Sequence, residues 1–140
     1  MNKEDYVSLE VAKILKEKGF NEYCGAYYHL IWKDMTEEEC FEVAPNHDFR
    51  NKDNGYRAGA PTLYEAAKWL RNEHDINVAV ATAIPAWIDR IPDNSDTLYT
   101  PFIAYKKDDG RTEMVILRKL TDFNYEKVYN DAILEALKLI

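Results

Sequence analysis

Residues 125–140 set the tightest limit on what this chain can become. Tyr125, Val128, Tyr129, Ala132, Ile133, Ala136, Leu137 and Ile140 recur at steps of three and four, with Glu126, Lys127, Asn130, Asp131, Glu135 and Lys138 between them. That spacing predicts a helix with one apolar stripe, running to Ile140. Such a stripe is stable only against another element, and a terminus frays unless something holds it. The chain is therefore expected to be a complete folded unit, with a core on which this helix docks.

Two more helices are signalled by their ends. Ser8 precedes Leu9, Val11, Ala12, Ile14 and Leu15 and reads as an N-cap. Lys13, Lys16 and Lys18 crowd the other end, where the helix dipole favours cations. Gly19 supplies a left-handed stop, with Phe20 placed to fold back onto the last turn. Further on, Thr62 with Glu65 forms a capping-box pattern ahead of Leu63, Ala66, Ala67 and Leu70.

The remaining patterned segments read as strands. Tyr23 to Trp32 is aromatic and charge-poor, and Ile76 to Ile84 is charge-free and rich in Val and Ala, which predicts an interior strand. The 33–60 segment is poorly specified: Thr36 with Glu39 is compatible with a capping box, and Cys40 to Val43 with a short returning strand. Asn46 to Gly59, dense in Asn, Asp and Gly, reads as a long surface loop. A hairpin at 98–119 centres on Asp109-Gly110, a pair suited to a tight type I′ turn. That register sets Asp108 against Arg111, Lys106 against Glu113, Tyr105 against Met114, Ala104 against Val115, Ile103 against Ile116 and Phe102 against Leu117. Both faces of the hairpin are then apolar, which calls for helices on both sides or for another chain. The order helix, strand(s), helix, strand, hairpin, helix predicts a single α+β domain over 1–140, with a mainly antiparallel sheet of four to five strands and three helices.

Charge and cysteine usage narrow the function classes. The net charge of −7 disfavours phosphate backbones and anionic lipid, so neither a nucleic-acid nor a membrane partner is expected. No apolar run is long enough to span a bilayer, and residues 1–5 carry no signal-peptide core. Cys24 and Cys40 then read as reduced thiols in a cytoplasm.

Catalytic and metal patterns do not assemble. Cys24, His29, Cys40 and His47 lack the paired spacing of a structural zinc site, and the His47-Asp48 and His74-Asp75 dipeptides have too few partners for a metal phosphohydrolase. A calcium loop counted from Asn51 puts Gly55 fifth and Thr62 twelfth, against the required sixth glycine and twelfth glutamate. There is no phosphate-cradling glycine motif and no nucleophile elbow around Ser8 or Ser95. Cys24 beside His29 is the one cysteine arrangement left open to nucleophilic chemistry. No cofactor is implied. The basic tip of Lys106, Lys107 and Arg111 is interleaved with Asp108, Asp109 and Glu113 and reads as a solvated turn.

Tyrosine, at ten residues, is the compositional outlier. Tyr56 and Arg57 in the loop, and Trp87, Asp89 and Arg90 between Pro85 and Pro92, are the residues a core explains least. Tyr, Trp and Arg are enriched at binding hot spots, which makes these five the candidate ligand- or partner-binding set.

The segments Tyr6 to Phe20 (YVSLEVAKILKEKGF), Ala60 to Arg71 (APTLYEAAKWLR) and Ala132 to Ile140 (AILEALKLI), in that order, resemble a group of small uncharacterised proteins of Bacteroides-type gut bacteria, their phages and mobile elements. The resemblance implies a bacterial cytoplasm and an accessory gene of a phage or mobile element; it brings no activity and no site residues. Together these readings lead to a non-enzymatic accessory protein that binds a host or phage protein, with the 98–119 hairpin offering a homodimer interface. The alternative is a small-molecule binder or minor enzyme, holding a carboxylate- or phosphate-bearing ligand in a pocket near the Trp87 loop.

Overall fold

The computed structural model describes residues 2–31, 34–44, 49–51, 55–82 and 97–140. It is an α+β chain in which every strand pairing is antiparallel, with six described strands divided between two three-stranded sheets instead of one sheet of four to five. Contacts concentrate in two compact units, 1–66 and 67–140.

In the first unit, α1 (Leu9–Glu17) starts where Ser8 Oγ accepts from the Val11 amide. It ends in a Schellman motif: Gly19 at φ +94° lets its amide reach Lys16 O and the Phe20 amide reach Leu15 O. Val11, Ala12, Leu15 and Phe20 are buried. Three strands form the sheet, β1 (Ala26–His29) at its centre between β2 (Phe41–Val43) and β3 (Arg57–Gly59). Tyr27 faces Glu42 and Gly59, while Tyr28 faces Phe41 and Ala58. The Tyr28 side is the core side: its ring is fully buried and its hydroxyl donates to Val7 O at 2.7 Å.

Both readings of residues 36–43 are realised in succession. Thr36 and Glu39 cap one helical turn, α2 (Glu37–Cys40), and the chain passes directly into β2. The Asn46–Gly59 loop is a correction. Phe49 and Asn51 are buried, the Cys24 amide donates to Phe49 O, and Arg57–Gly59 is a strand. Arg-Ala-Gly is too short to carry an alternation, so its pairing comes from β1 and not from its own composition.

The helix α3 (Leu63–His74) carries the expected box, with Glu65 N donating to Thr62 Oγ1 and Thr62 N to Glu65 Oε1. It is followed by β4 (Ile76–Thr82), which opens the second unit's sheet beside β5 (Tyr99–Lys106) and β6 (Thr112–Ile116). The last helix, α4 (Tyr125–Leu137), lies against β4 and β5 with Val128, Ala132, Ile133, Ala136 and Leu137 buried. It stops short of Ile140, because the Lys138 and Leu139 amides turn back in tight bonds to Glu135 O and Ala136 O. No helix among the described residues is long and apolar enough to cross a membrane.

Two strand expectations are overturned here. Among the described residues β4 is an edge strand, not an interior one: Ile76, Val78 and Val80 face α4's side, whereas Asn77, Ala79 and Ala81 are exposed. Small uncharged alanines are tolerated on a wet face, so absence of charge did not require burial. The hairpin register is also shifted by one residue, pairing Phe102 with Ile116, Ile103 with Val115, Ala104 with Met114 and Tyr105 with Glu113. The turn takes Asp108, Asp109 and Gly110, with Gly110 N donating to Lys107 O, Lys107 N to Arg111 O, and Gly110 at φ +84°. This is the longer hairpin turn whose last residue must be left-handed, and glycine supplies it without strain. Asp109 now holds Arg111 and Lys107 holds Glu113, each at 2.7 Å. A slip of one exchanges faces: Glu113 joins Tyr105 on one side, and the apolar set Phe102, Ala104, Met114 and Ile116 collects on the other.

Candidate functional site

Of the five candidate residues, Tyr56 and Arg57 are described, and Trp87, Asp89 and Arg90 lie outside the described residues. Tyr56 is 66% exposed just before β3, and Leu30 N donates to its carbonyl. Arg57 opens β3 opposite His29, and its guanidinium lies 4.6 Å from the Tyr27 ring centroid. Across β1, His29 Nε2 is 2.7 Å from Glu42 Oε2, and the Tyr27 hydroxyl also bonds Glu42. Strand register thus assembles Tyr27, His29, Glu42 and Arg57 on the sheet face away from α1, a grouping that the sequence does not display because its members lie on three strands.

The electrostatics of this cluster are those of a self-neutralising array. Hydrogen bonds from His29 and Tyr27, with the Arg57 charge nearby, hold the Glu42 carboxyl below the usual carboxylate range. Burial, joined by the bond to Glu42, pushes the Tyr27 phenol up. A histidine–carboxylate pair can serve as a general base when a nucleophile is within its reach. Cys24 is not suited to that role: burial, reinforced by the Glu65 and Glu22 carboxylates, pushes its thiol up to about 12, so it is protonated at neutral pH. Cys40 is likewise buried, and both cysteines are free.

Cys24 has a packing role instead. A Cβ built on Gly59 would stand 2.9 Å from Cys24 Sγ and 3.4 Å from both Asn51 Oδ1 and Phe49 Cδ1. Glycine at 59 therefore lets the 49–51 segment close onto β3, where Phe49 stacks on Tyr27 at 5.2 Å. Asn51, the first residue of the failed calcium pattern, is 7% exposed and turns inward. Its Nδ2 donates to Phe20 O and its Oδ1 accepts from Gly59 N, each at 2.7 Å. A shallow cavity of about 260 Å³ lies alongside, lined by Lys16, Gly19, Phe20, Asn21 and Asn51. Lys16 Nζ there donates to Arg57 O at 2.6 Å. Neither the Tyr56 nor the Arg57 side chain lines that cavity. His47 lies outside the described residues, and among those described no three His, Cys, Asp or Glu side chains group to hold a metal.

A second surface arises in the other unit from the corrected register. The sheet face turned away from α4 carries Asn77, Ala79 and Ala81 of β4, Thr100, Phe102 and Ala104 of β5, and Thr112, Met114 and Ile116 of β6, with Thr100 fully buried and its hydroxyl 2.9 Å from that of Thr121. Met114 is 67% exposed, Ala79 and Ala81 are exposed, and Phe102, Ala104 and Ile116 are half-buried. Lys106, near the turn, is the first charge on this face. The signal that could have found it was a three-residue reading of the Asp108-Asp109-Gly110 turn, since the TEMVI sequence of β6 does not alternate. Comparison with known proteins adds nothing to either surface: no family model, curated protein or solved structure matches the chain.

Proposed function

We propose that this protein acts by binding another protein, without catalysis, through the outer face of the second sheet. The observation that carries the reading is the uncharged, solvent-facing stretch formed by Ala79, Ala81, Met114 and Ile116 in a chain whose residues are 31% charged. Depletion of charge at the centre of a patch is the compositional mark of interface cores. The accessory role in a bacterial host or its phage belongs to the same proposal. Arg57 supports a carboxylate- or phosphate-binding reading less well, because its guanidinium lies against the Tyr27 ring and does not line the cavity.

The test is native mass spectrometry of the protein from its own host, as wild type, Met114→Glu and Arg57→Ala. The reading expects a protein complex that Met114→Glu dissolves and Arg57→Ala leaves intact. A complex indifferent to Met114→Glu, or a bound small molecule lost with Arg57→Ala, overturns it.

A further inference from the structure

Among the described residues β6 is an edge strand, bonded to β5 on one side only. Lys107 N donates to Arg111 O and Leu117 N to Pro101 O, which fixes the phase of the ladder. In an antiparallel pair, alternate residues turn both backbone groups away from the neighbouring strand. On β6 those residues are Thr112, Met114 and Ile116, and among the described residues no third strand meets them. Natural sheets guard such an edge with proline, lysine, a bulge or an inward charge. Thr112, Met114, Val115 and Ile116 include none of these. The one charge, Glu113, is on the other face and is held by Lys107 at 2.7 Å.

We propose that β6 pairs antiparallel with β6 of a second copy, on a two-fold axis through Met114. The inference deepens the protein-binding reading by naming the partner. An isologous contact requires every residue to suit its own mate. With the axis at Met114, Met114 faces the partner's Met114, Thr112 faces the partner's Ile116, and Glu113 faces the partner's Val115. No like charges are directly opposed; Glu113 and the partner's Glu113 are diagonal neighbours, and each is held by its own Lys107. All three outward-turned residues find backbone partners, and the two uncharged outer faces become one continuous surface. The occupant is a second copy because the two-fold axis gives every outward backbone group of β6 a mate without directly opposing like charges.

The experiment is sedimentation equilibrium across protein concentration and salt. The expected result is a mass rising from 16.3 kDa toward twice that value. Association should strengthen with salt, because each copy carries −7 and screening relieves their mutual repulsion. Met114→Lys puts two ammonium groups on the axis and abolishes the rise, with an unchanged circular dichroism spectrum because Met114 is exposed. Met114→Cys forms an intermolecular disulfide on mild oxidation, since directly opposed Cα atoms at ~5.5 Å fit the geometry. A cysteine at exposed Lys68 does not. A mass that stays monomeric to about 1 mM overturns the proposal, that being the limit of weak specific association. So does a dimer that Met114→Lys leaves intact. A monomer that still loses its host partner with Met114→Glu overturns the dimer alone and leaves the protein-binding reading standing.

Discussion

Replacing Asn51 with alanine tests how the first unit is held together. Its carboxamide joins the end of α1 to β3 through the 49–51 segment, by one bond to Phe20 O and one from Gly59 N. Truncation leaves a buried carbonyl and a buried amide without partners, each costing about 1–3 kcal/mol. Water entering from the adjoining cavity offsets part of that. The expected net loss is therefore roughly 2–4 kcal/mol, a large share of the ~5–15 kcal/mol that holds a domain folded. Urea unfolding followed by far-ultraviolet circular dichroism should show a lower midpoint with an unchanged slope. Asn51→Asp sharpens the test. It keeps the acceptor for Gly59 N but sets a carboxylate against Phe20 O, so the folded state raises its pKa above the unfolded value. Stability from its protonated form is present below the unfolded pKa and lost as pH rises through the folded one, so the Asp variant should gain on the Ala variant on acidification. A loss under about 0.5 kcal/mol for Asn51→Ala, typical of a surface site, would refute the reasoning. So would equal, pH-independent losses for both variants.

Three further outcomes follow from other contacts. Burial raises the Glu37 carboxyl, but the Lys3 ammonium and the Leu9 amide outweigh it and hold the group below its usual value. Its contribution is thus complete above the unfolded pKa and lost as pH falls through the folded one; Glu37→Gln should cost about 1 kcal/mol at pH 7, discounted for its partial exposure, and progressively less as pH falls through that lowered folded value. Gly59→Ala should cost about 1–3 kcal/mol by overpacking, and Cys24→Ala should recover part of it, since Cys24 Sγ is the nearest atom; strictly additive denaturation energies would sink the assignment. Finally, Cys24 should resist alkylation in native protein at pH 8 and react at an ordinary thiol rate in urea, with mass spectrometry locating the label; fast native labelling at Cys24 would contradict its buried, protonated state.

The parts of the fold legible in the sequence are those specified within one turn of chain. Ser8, Gly19 with Phe20, Thr36 with Glu39, and Thr62 with Glu65 each carry their signal inside a few residues, and the stripe of α4 repeats on its own period. What escaped depends on partners far away. The hairpin register rested on whether Asp109-Gly110 fills a two-residue turn or ends a three-residue one, and one residue of difference exchanged the faces of β6. β3 is three residues long and owes its existence to Tyr27 and His29 across the ladder. Of the candidate binding residues, Arg57 was visible as a loop cation, but its neighbours Tyr27, His29 and Glu42 come together only through strand pairing. Asn51 looked like a loop asparagine because its two partners lie 31 and 8 positions away.

The Glu37 carboxylate caps a helix that begins 28 residues earlier, through its bond to the Leu9 amide. In the growing chain α1 is made before this distal cap, so the Leu9 amide lacks its Glu37 partner until α2 has been made and brought back, while Ser8 caps the Val11 amide locally. The Leu9 amide of this helix thereby reports on tertiary closure, beside the local caps that Ser8 and Gly19 supply. A released chain ending before residue 37 should exchange its Leu9 amide hydrogen freely, and the full chain should protect it.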